Sequence, residues 1–286
     1  MRKQSLPAYL SILRPVNSVM AGCAVLVGEM IALKGTLAYT ETILGFCVAT
    51  TMMASTMALN DAADLPIDRI NAPYRPLPSG ALSIRQAYML SATLASVALL
   101  GSVPLNFPLG LGVATLALVL MIYYNFKGKR KGFYGNLIVS FEVALLFLYG
   151  GVIVANIRPI LLVFFAIAFL ANLGREIVKG IVDLEGDARS GVRTVAVTHG
   201  PRRAAQVSVI FVASAIIFSL IPILTRPPMV GSLYLLPLTG CLAGFAYSSY
   251  SIMRDYSPLS ARRVKNHLLA WMVLGLSAFL LGTFQI

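Results

Sequence analysis

Seven of the eleven acidic residues in this 286-residue chain fall in two places: Asp61, Asp64 and Asp68 in one, and Glu176, Asp183, Glu185 and Asp187 in the other. Offsets of three and seven put the first three carboxylates on one face of a helix for as long as that helix continues, with Pro66 placed to end or kink it. Glu176, Lys179, Asp183 and Asp187 form a second charged stripe, at i, i+3, i+7 and i+11. Carboxylates spaced this closely repel one another and must be wetted or offset by cations. A hard divalent ion such as Mg²⁺ suits them, because it takes oxygen ligands, keeps several waters and is held by one or two carboxylates together with phosphates. Two such stripes converging on one cavity make a diphosphate clamp, with Arg69, Lys127, Lys179 and Arg14 available to neutralise what the metal leaves over. For either cluster alone, an ordinary solvated helix end paired with Arg or Lys is the competing reading. Zinc or haem chemistry is disfavoured, since His199 and His267 are far apart and no Cys/His cluster exists.

The elements that must carry these residues are membrane helices. The chain is 58% hydrophobic and 12% charged with a mean hydropathy of +0.80, more apolar surface than one water-soluble core hides. Windows of roughly 20 apolar residues predict nine spans, at 16–33, 42–63, 86–104, 107–124, 135–156, 159–178, 204–225, 230–252 and 266–285. They make a single all-α domain over 1–286. With the N-terminus inside, twenty Lys and Arg lie on the inner side, Arg2 and Lys3 among them; only Lys34, Arg158 and Arg226 lie outside. The net charge of +12 is thereby topology and attraction to anionic head groups or substrates, with no nucleic-acid partner expected. Both acidic groups fall on the inner side, four spans apart, so the chain reads as two four-helix units plus one around a central cavity. The N-terminus lacks the pattern of a cleaved leader, and the first span is expected to stay as a helix.

Several single residues bear on the site. Residues 69–80 contain three prolines, which predict a stiff, extended inner loop that connects two spans or covers the anion with Arg75. Ser83 and Gln86 have the form of a capping box. The Tyr123-Tyr124 pair fits an interfacial belt. Glu29 is expected to reach the outer interface, whereas Glu142 lies inside a span, either lining the cavity or making a structural hydrogen bond. Asn17, beside Arg14, either binds an acceptor or is a polar residue at the interface. Cys23, Cys47 and Cys241 read as small buried hydrophobes.

At Asn60, Asp61, Asp64 and Asp68, the Arg69–Gly80 run, and Asp183 and Asp187, the sequence resembles the UbiA superfamily of membrane prenyltransferases over essentially the whole chain. The segments from Arg175 to Gly180 and from Asp183 to Asp187, with Tyr124-Asn125-Phe126-Lys127 and Gly135-Asn136, are most similar to the archaeal digeranylgeranylglyceryl phosphate synthases. The resemblance implies a cell-membrane enzyme with a cytoplasmic active site and an outside C-terminus. It implies Mg²⁺ held by Asp61, Asp64, Asp183 and Asp187, with Asp68 a candidate base. Asn60, Arg69, Arg75, Tyr124, Lys127 and Lys179 would bind diphosphate, and Arg14 and Asn17 the acceptor. The expected partners are geranylgeranyl diphosphate, geranylgeranylglyceryl phosphate and membrane lipids. An aromatic or quinone precursor or a chlorophyllide-like acceptor is the alternative within the superfamily, and an anion transporter the alternative outside it.

Overall fold

The computed structural model describes residues 6–225 and 229–285, so Arg2, Lys3 and Arg226 lie outside the described residues. The described chain is helical, its helices joined by turns and short irregular links. In order they are α1 (Leu6–Leu13), α2 (Pro15–Ala32), α3 (Tyr39–Ala63), α4 (Leu65–Asn71), α5 (Ile84–Ser102) and α6 (Leu109–Tyr123). They continue with α7 (Phe133–Ile153), α8 (Pro159–Val182), α9 (Leu184–Arg189), α10 (Val195–Leu224), α11 (Leu235–Arg254) and α12 (Pro258–Gly282). Among the described residues seven helical segments, α2, α3, α6 with the helical turns that continue it to Lys131, α7, α8, α10 and α12, are long and apolar enough to cross a membrane. α5 and α11 stand where the third and eighth spans were expected but fall short of that length and apolarity, so seven of the nine expected spans are matched on these grounds. Large apolar side chains such as Leu100, Ile210, Ile217 and Leu236 point outward, the arrangement a multi-pass protein presents to lipid.

Neighbouring helices pack in sequence, α2 on α3, α3 on α5 and α5 on α6, then α7 on α8, α8 on α10 and α10 on α11. The same run of contacts thus occurs twice. α12 closes the assembly by packing on α11, α8 and α2, and α2 lies against α7. Without a hydrophobic force between helices in lipid, small residues and interhelical hydrogen bonds hold such contacts. At the α2–α7 crossing a Cβ on Gly28 would strike the Phe147 carbonyl, and one on Gly150 would strike the Val25 carbonyl. Ser55 in α3 donates to the Ser91 carbonyl in α5 at 2.8 Å, and Ser208 in α10 to the Gly174 carbonyl in α8 at 2.8 Å. At the end of the bundle away from the charged stripes, Phe164 stacks on Phe279 with ring centroids 3.9 Å apart, and both lie near Tyr234.

Several sequence expectations are corrected here. α12 starts at Pro258, not 266, because Ser257 caps it by accepting from the Ser260 amide and the helix runs on through Arg262, Arg263 and Lys265. α10 starts at Val195 and is broken at Gly200, whose φ is 83°. The 69–80 segment is folded rather than extended: Arg69–Asn71 end α4, and the rest is a series of turns closed by Arg75 N–H to Ala72, Ser79 to Arg75 and Leu82 to Pro76. Proline fixes φ in the range that turns use as readily as extended chain, and the buried Leu77 and Leu82 anchor the folded path. Glu29 does not reach the interface. It is fully buried and accepts from the Ala38 amide at 3.0 Å and the Thr42 hydroxyl at 2.6 Å, tying down the start of α3. Cys47 faces outward, since a lipid-facing position accepts a thiol as readily as a core does; Cys241 is buried and donates to the Trp271 carbonyl. The Ser83–Gln86 capping box is present in both directions.

Candidate active site

Neither acidic stripe rides on one continuous helix. α3 ends at Ala63, Asp64 forms a joint with φ −87° and ψ 2°, and α4 resumes with Pro66 in its first turn, where a missing N–H costs nothing. α8 ends at Val182, Asp183 forms a joint with φ −94° and ψ 9°, and α9 follows. In both, the joint residue's N–H bonds four residues back, to Asn60 and to Lys179. α4 packs against α9, so the two short helices bring the stripes face to face.

Asp61, Asp64, Asp68, Glu176 and Asp187 are all buried, and cations meet most of them. Arg14 pairs with Asp61. Arg75 grips Asp68 with Nη1 2.7 and 2.6 Å from its two oxygens and lies 3.8 Å from Asp61. Lys129 reaches Asp64 at 2.5 Å. Glu176 holds Arg175 at 2.8 Å and Lys179 at 3.0 Å. Arg14 sits at φ 45° between α1 and α2, a left-handed conformation that costs a non-glycine residue of order 1 kcal/mol; the bond to Asp61 holds it there. Burial raises the Asp68 carboxyl above the usual range despite Arg75. Burial also pushes Asp187 up to about 7, with Asp183 and Asp64 adding to the effect and Lys129 and Lys179 opposing it. Burial works against the Arg75 charge, but Asp68 outweighs it and keeps the guanidinium firmly protonated. Glu185 is exposed and pairs with Arg189.

A cavity of about 300 Å³ opens beside these groups. Its polar end carries Arg14, Asn17, Asn60, Arg75, Tyr124, Asn125, Arg175, Glu176, Lys179 and Lys265; its walls are apolar, from Met20, Met52 and Phe147 to Phe245, Met272 and Phe279. The chain after α6 forms a π-helical turn, Tyr124–Gly128, whose extra residue turns Tyr124 and Asn125 inward and leaves Tyr123 outside. Asn60 donates to Asn125 at 3.0 Å, and Asn125 donates to the Met121 carbonyl at 2.9 Å, which fixes the amide. Tyr124 is in electrostatic reach of Lys179, Glu176, Asp64 and Asp187.

The expected site residues therefore divide. Asp61, Asp64, Asp68, Asp183 and Asp187 gather at one end of the cavity, with Asn60, Arg75, Tyr124, Lys179, Arg14 and Asn17 lining it. Arg69 and Lys127 are exposed and do not line it. Lys129, Arg175, Lys265 and Asn125 are also placed at the site; Arg175 and Asn125 lie in segments that carry the resemblance but were given no role, and Lys129 and Lys265 lie outside them. Lys129 follows Lys127 in a basic run, and Lys265 was read only as topological charge. Glu142 lines the cavity partway along α7.

As for a metal, the donor set is carboxylate oxygen, which fits Mg²⁺. No three Asp, Glu, His or Cys among the described residues close on one point as a ready-made cage, which suits an ion that completes its shell with water and phosphate.

The geometry has counterparts among known proteins. The chain is 33% identical to digeranylgeranylglyceryl phosphate synthase of Methanosphaera stadtmanae over 96% of this chain and 98% of that one. It matches a solved structure of digeranylgeranylglyceryl phosphate synthase with a TM-score of 0.75 and 29% identity over 98% of both chains. It shares the fold of a UbiA homolog from Archaeoglobus fulgidus bound to DMAPP and Mg²⁺, at a TM-score of 0.67 and 19% identity over 95% of this chain and 99% of that one. With the UbiA prenyltransferase family model matching residues 21–281, this multi-pass membrane protein belongs to the UbiA prenyltransferase family.

Proposed function

We propose that the protein transfers a geranylgeranyl group from geranylgeranyl diphosphate to the 2-hydroxyl of geranylgeranylglyceryl phosphate, with Mg²⁺, in archaeal ether-lipid synthesis. The observation that carries this reading is the meeting of α4 and α9, which sets two Asp-bearing joints at the cationic end of an apolar cavity. The shared family, and the name carried by the relative from Methanosphaera, support the choice of donor and acceptor. The excess of Lys and Arg at this end of the helices supports a cytoplasmic active site and N-terminus, with the C-terminus outside.

Asp61, Asp64, Asp183 and Asp187 would hold the metal, which supplies Lewis-acid stabilisation of the leaving diphosphate. Lys179, Arg75, Asn60 and Tyr124 bind and orient the diphosphate oxygens from the cavity side, a preorganised set of donors in a water-poor site. The allylic C1–O bond breaks and its electron pair leaves with the diphosphate. The apolar walls keep water from the allylic cation until the acceptor hydroxyl oxygen bonds to C1. Asp68 is held by Arg75 through both oxygens, so its role is to position Arg75; the hydroxyl proton passes to the oxygens of the departed diphosphate. Asn17 offers its amide to the acceptor, while Arg14 is committed to Asp61. Arg69 and Lys127 have no part in this scheme.

The test is a competition. Purified protein with geranylgeranyl diphosphate and Mg²⁺ is offered geranylgeranylglyceryl phosphate and 4-hydroxybenzoate together. The diether phosphate is the expected product, and exclusive prenylation of the aromatic ring overturns the acceptor assignment.

A further inference from the structure

Arg14, Arg75, Arg175, Lys179 and Lys265 reach the cavity, against only two carboxylates, Glu142 and Glu176. The imbalance is uneven. On the α1–α4 side Arg14 and Arg75 are matched by Asp61 and Asp68. On the α8–α12 wall Arg175 and Lys179 share the single carboxylate of Glu176. Lys265 makes no ion pair or hydrogen bond within the 4.0 and 3.5 Å limits of such contacts among the described residues; it faces Asp183, Lys179, Arg175 and Glu176. The Nε of Arg175 is buried without a partner. With Lys179 given to the donor diphosphate and Asp183 to the metal, Arg175 and Lys265 are left facing the single carboxylate of Glu176, and in a part-apolar cavity this leaves positive charge that an anion offsets. On the reading above, the donor diphosphate takes the side where Asp64, Asp183 and Asp187 would hold its metal. A second anion is therefore accommodated on this wall.

We propose that Arg175 and Lys265 form a separate subsite for the phosphate monoester of the acceptor and select for acceptors that carry it. The inference rests on the reading above that a phosphorylated lipid accepts the prenyl group. A phosphate monoester carries about −1.5 to −2 charges near neutral pH, which two cations match, and a guanidinium is suited to fork onto its oxygens. Above Lys265 on α12, Leu269, Met272 and Leu276 line the same cavity at i+4, i+7 and i+11. A head group seated on Lys265 thereby has an apolar stripe for its hydrocarbon chain, which favours a lipid phosphate over a free one.

The experiment compares geranylgeranylglyceryl phosphate with its dephosphorylated counterpart at saturating donor. Lys265→Met is expected to raise KM for the phosphorylated acceptor roughly 10- to 100-fold and to erase the preference over the dephosphorylated one. KM for the donor stays within about twofold, and Lys265→Arg restores the preference. Equal losses on both acceptors, or a loss carried by the donor KM, overturn the proposal. Arg175→Lys keeps a cation on Glu176 but loses the fork; it serves as the second variant if Lys265→Met does not fold, with the same expectation at smaller amplitude. Without donor or Mg²⁺, glycerol 1-phosphate is expected to raise the melting temperature of the wild type and not of Lys265→Met; an undiminished shift in the variant counts against the subsite. If the wild type turns over neither lipid yet this shift still depends on Lys265, the subsite stands and the acceptor assignment fails.

Discussion

Asp64 and Asp183 hold the same backbone position in two halves of the chain, each a single residue between a long helix and a short one, with φ and ψ agreeing to within about ten degrees. The breaks swing α4 and α9 toward each other, so Asp68 and Asp187, one turn further on, come to the same end of the cavity as the joints. A straight helix would have carried them away along its axis. The joint is thus the device that turns two linear motifs into one site.

Asp64→Asn and Asp183→Asn are each expected to reduce turnover roughly 100-fold or more at saturating Mg²⁺, since each removes a carboxylate that would hold the metal against the leaving diphosphate. The detergent-extracted variants should keep the wild-type far-UV circular dichroism, which separates loss of chemistry from loss of fold. Near-normal rates in both would contradict the metal-clamp assignment.

Arg75 and Asp68 are joined by two bonds from one nitrogen, with Asp68 buried and Arg75 about a third exposed at its side chain. Arg75→Ala leaves Asp68 without its cation and is expected to cost about 1–3 kcal/mol, less than a fully buried pair because of solvent on the Arg side. Adding Asp68→Asn should recover part of that stability by removing the stranded charge. Thermal unfolding of both single variants and the double variant measures the coupling; additive losses would show that the pair does not act as a unit.

How far the sequence reached follows from what each feature depends on. The Asp stripes, the capping box at Ser83 and the spans were legible because they rest on local spacing and composition. The break at Asp64 was half legible through Pro66, but Asp183 has no proline after it, and its joint arises from tertiary packing. The π-helical turn that buries Tyr124 leaves no periodic trace, so the Tyr pair read as an interfacial belt. Partner choice was not legible either. Lys127 and Lys129 differ by two positions, and only the path of that turn decides that Lys129 meets Asp64. Lys265 was hidden because charge held back the start of the apolar window to 266, while the helix starts at Pro258.

Gly28 and Gly150 let the backbones of α2 and α7 touch. Gly28→Ala or Gly150→Ala forces the helices apart and is expected to destabilise by about 1–3 kcal/mol, seen as a lowered melting temperature. Gly112→Ala in α6, where an added Cβ meets nothing within 4 Å, is the control and should be neutral or slightly stabilising, because alanine favours helix. Equal behaviour of the three variants would remove the close crossing as a determinant of the fold.

Glu142 projects from α7 into the cavity and makes no hydrogen bond or ion pair within 3.5 and 4.0 Å, respectively, among the described residues. A carboxyl in such a place carries a desolvation cost with nothing to offset it in the empty protein. Glu142→Leu, which keeps comparable bulk and removes the polar group, is therefore expected to raise the melting temperature by about 2–4 °C in the absence of substrate. Its effect on turnover then separates two uses of the position. Unchanged kcat and KM show that the cavity merely tolerates the carboxyl, whereas a rise in acceptor KM alongside the gain in stability shows that it meets the bound acceptor. A fall in melting temperature would refute the premise, since it would mean that the side chain already has a stabilising partner.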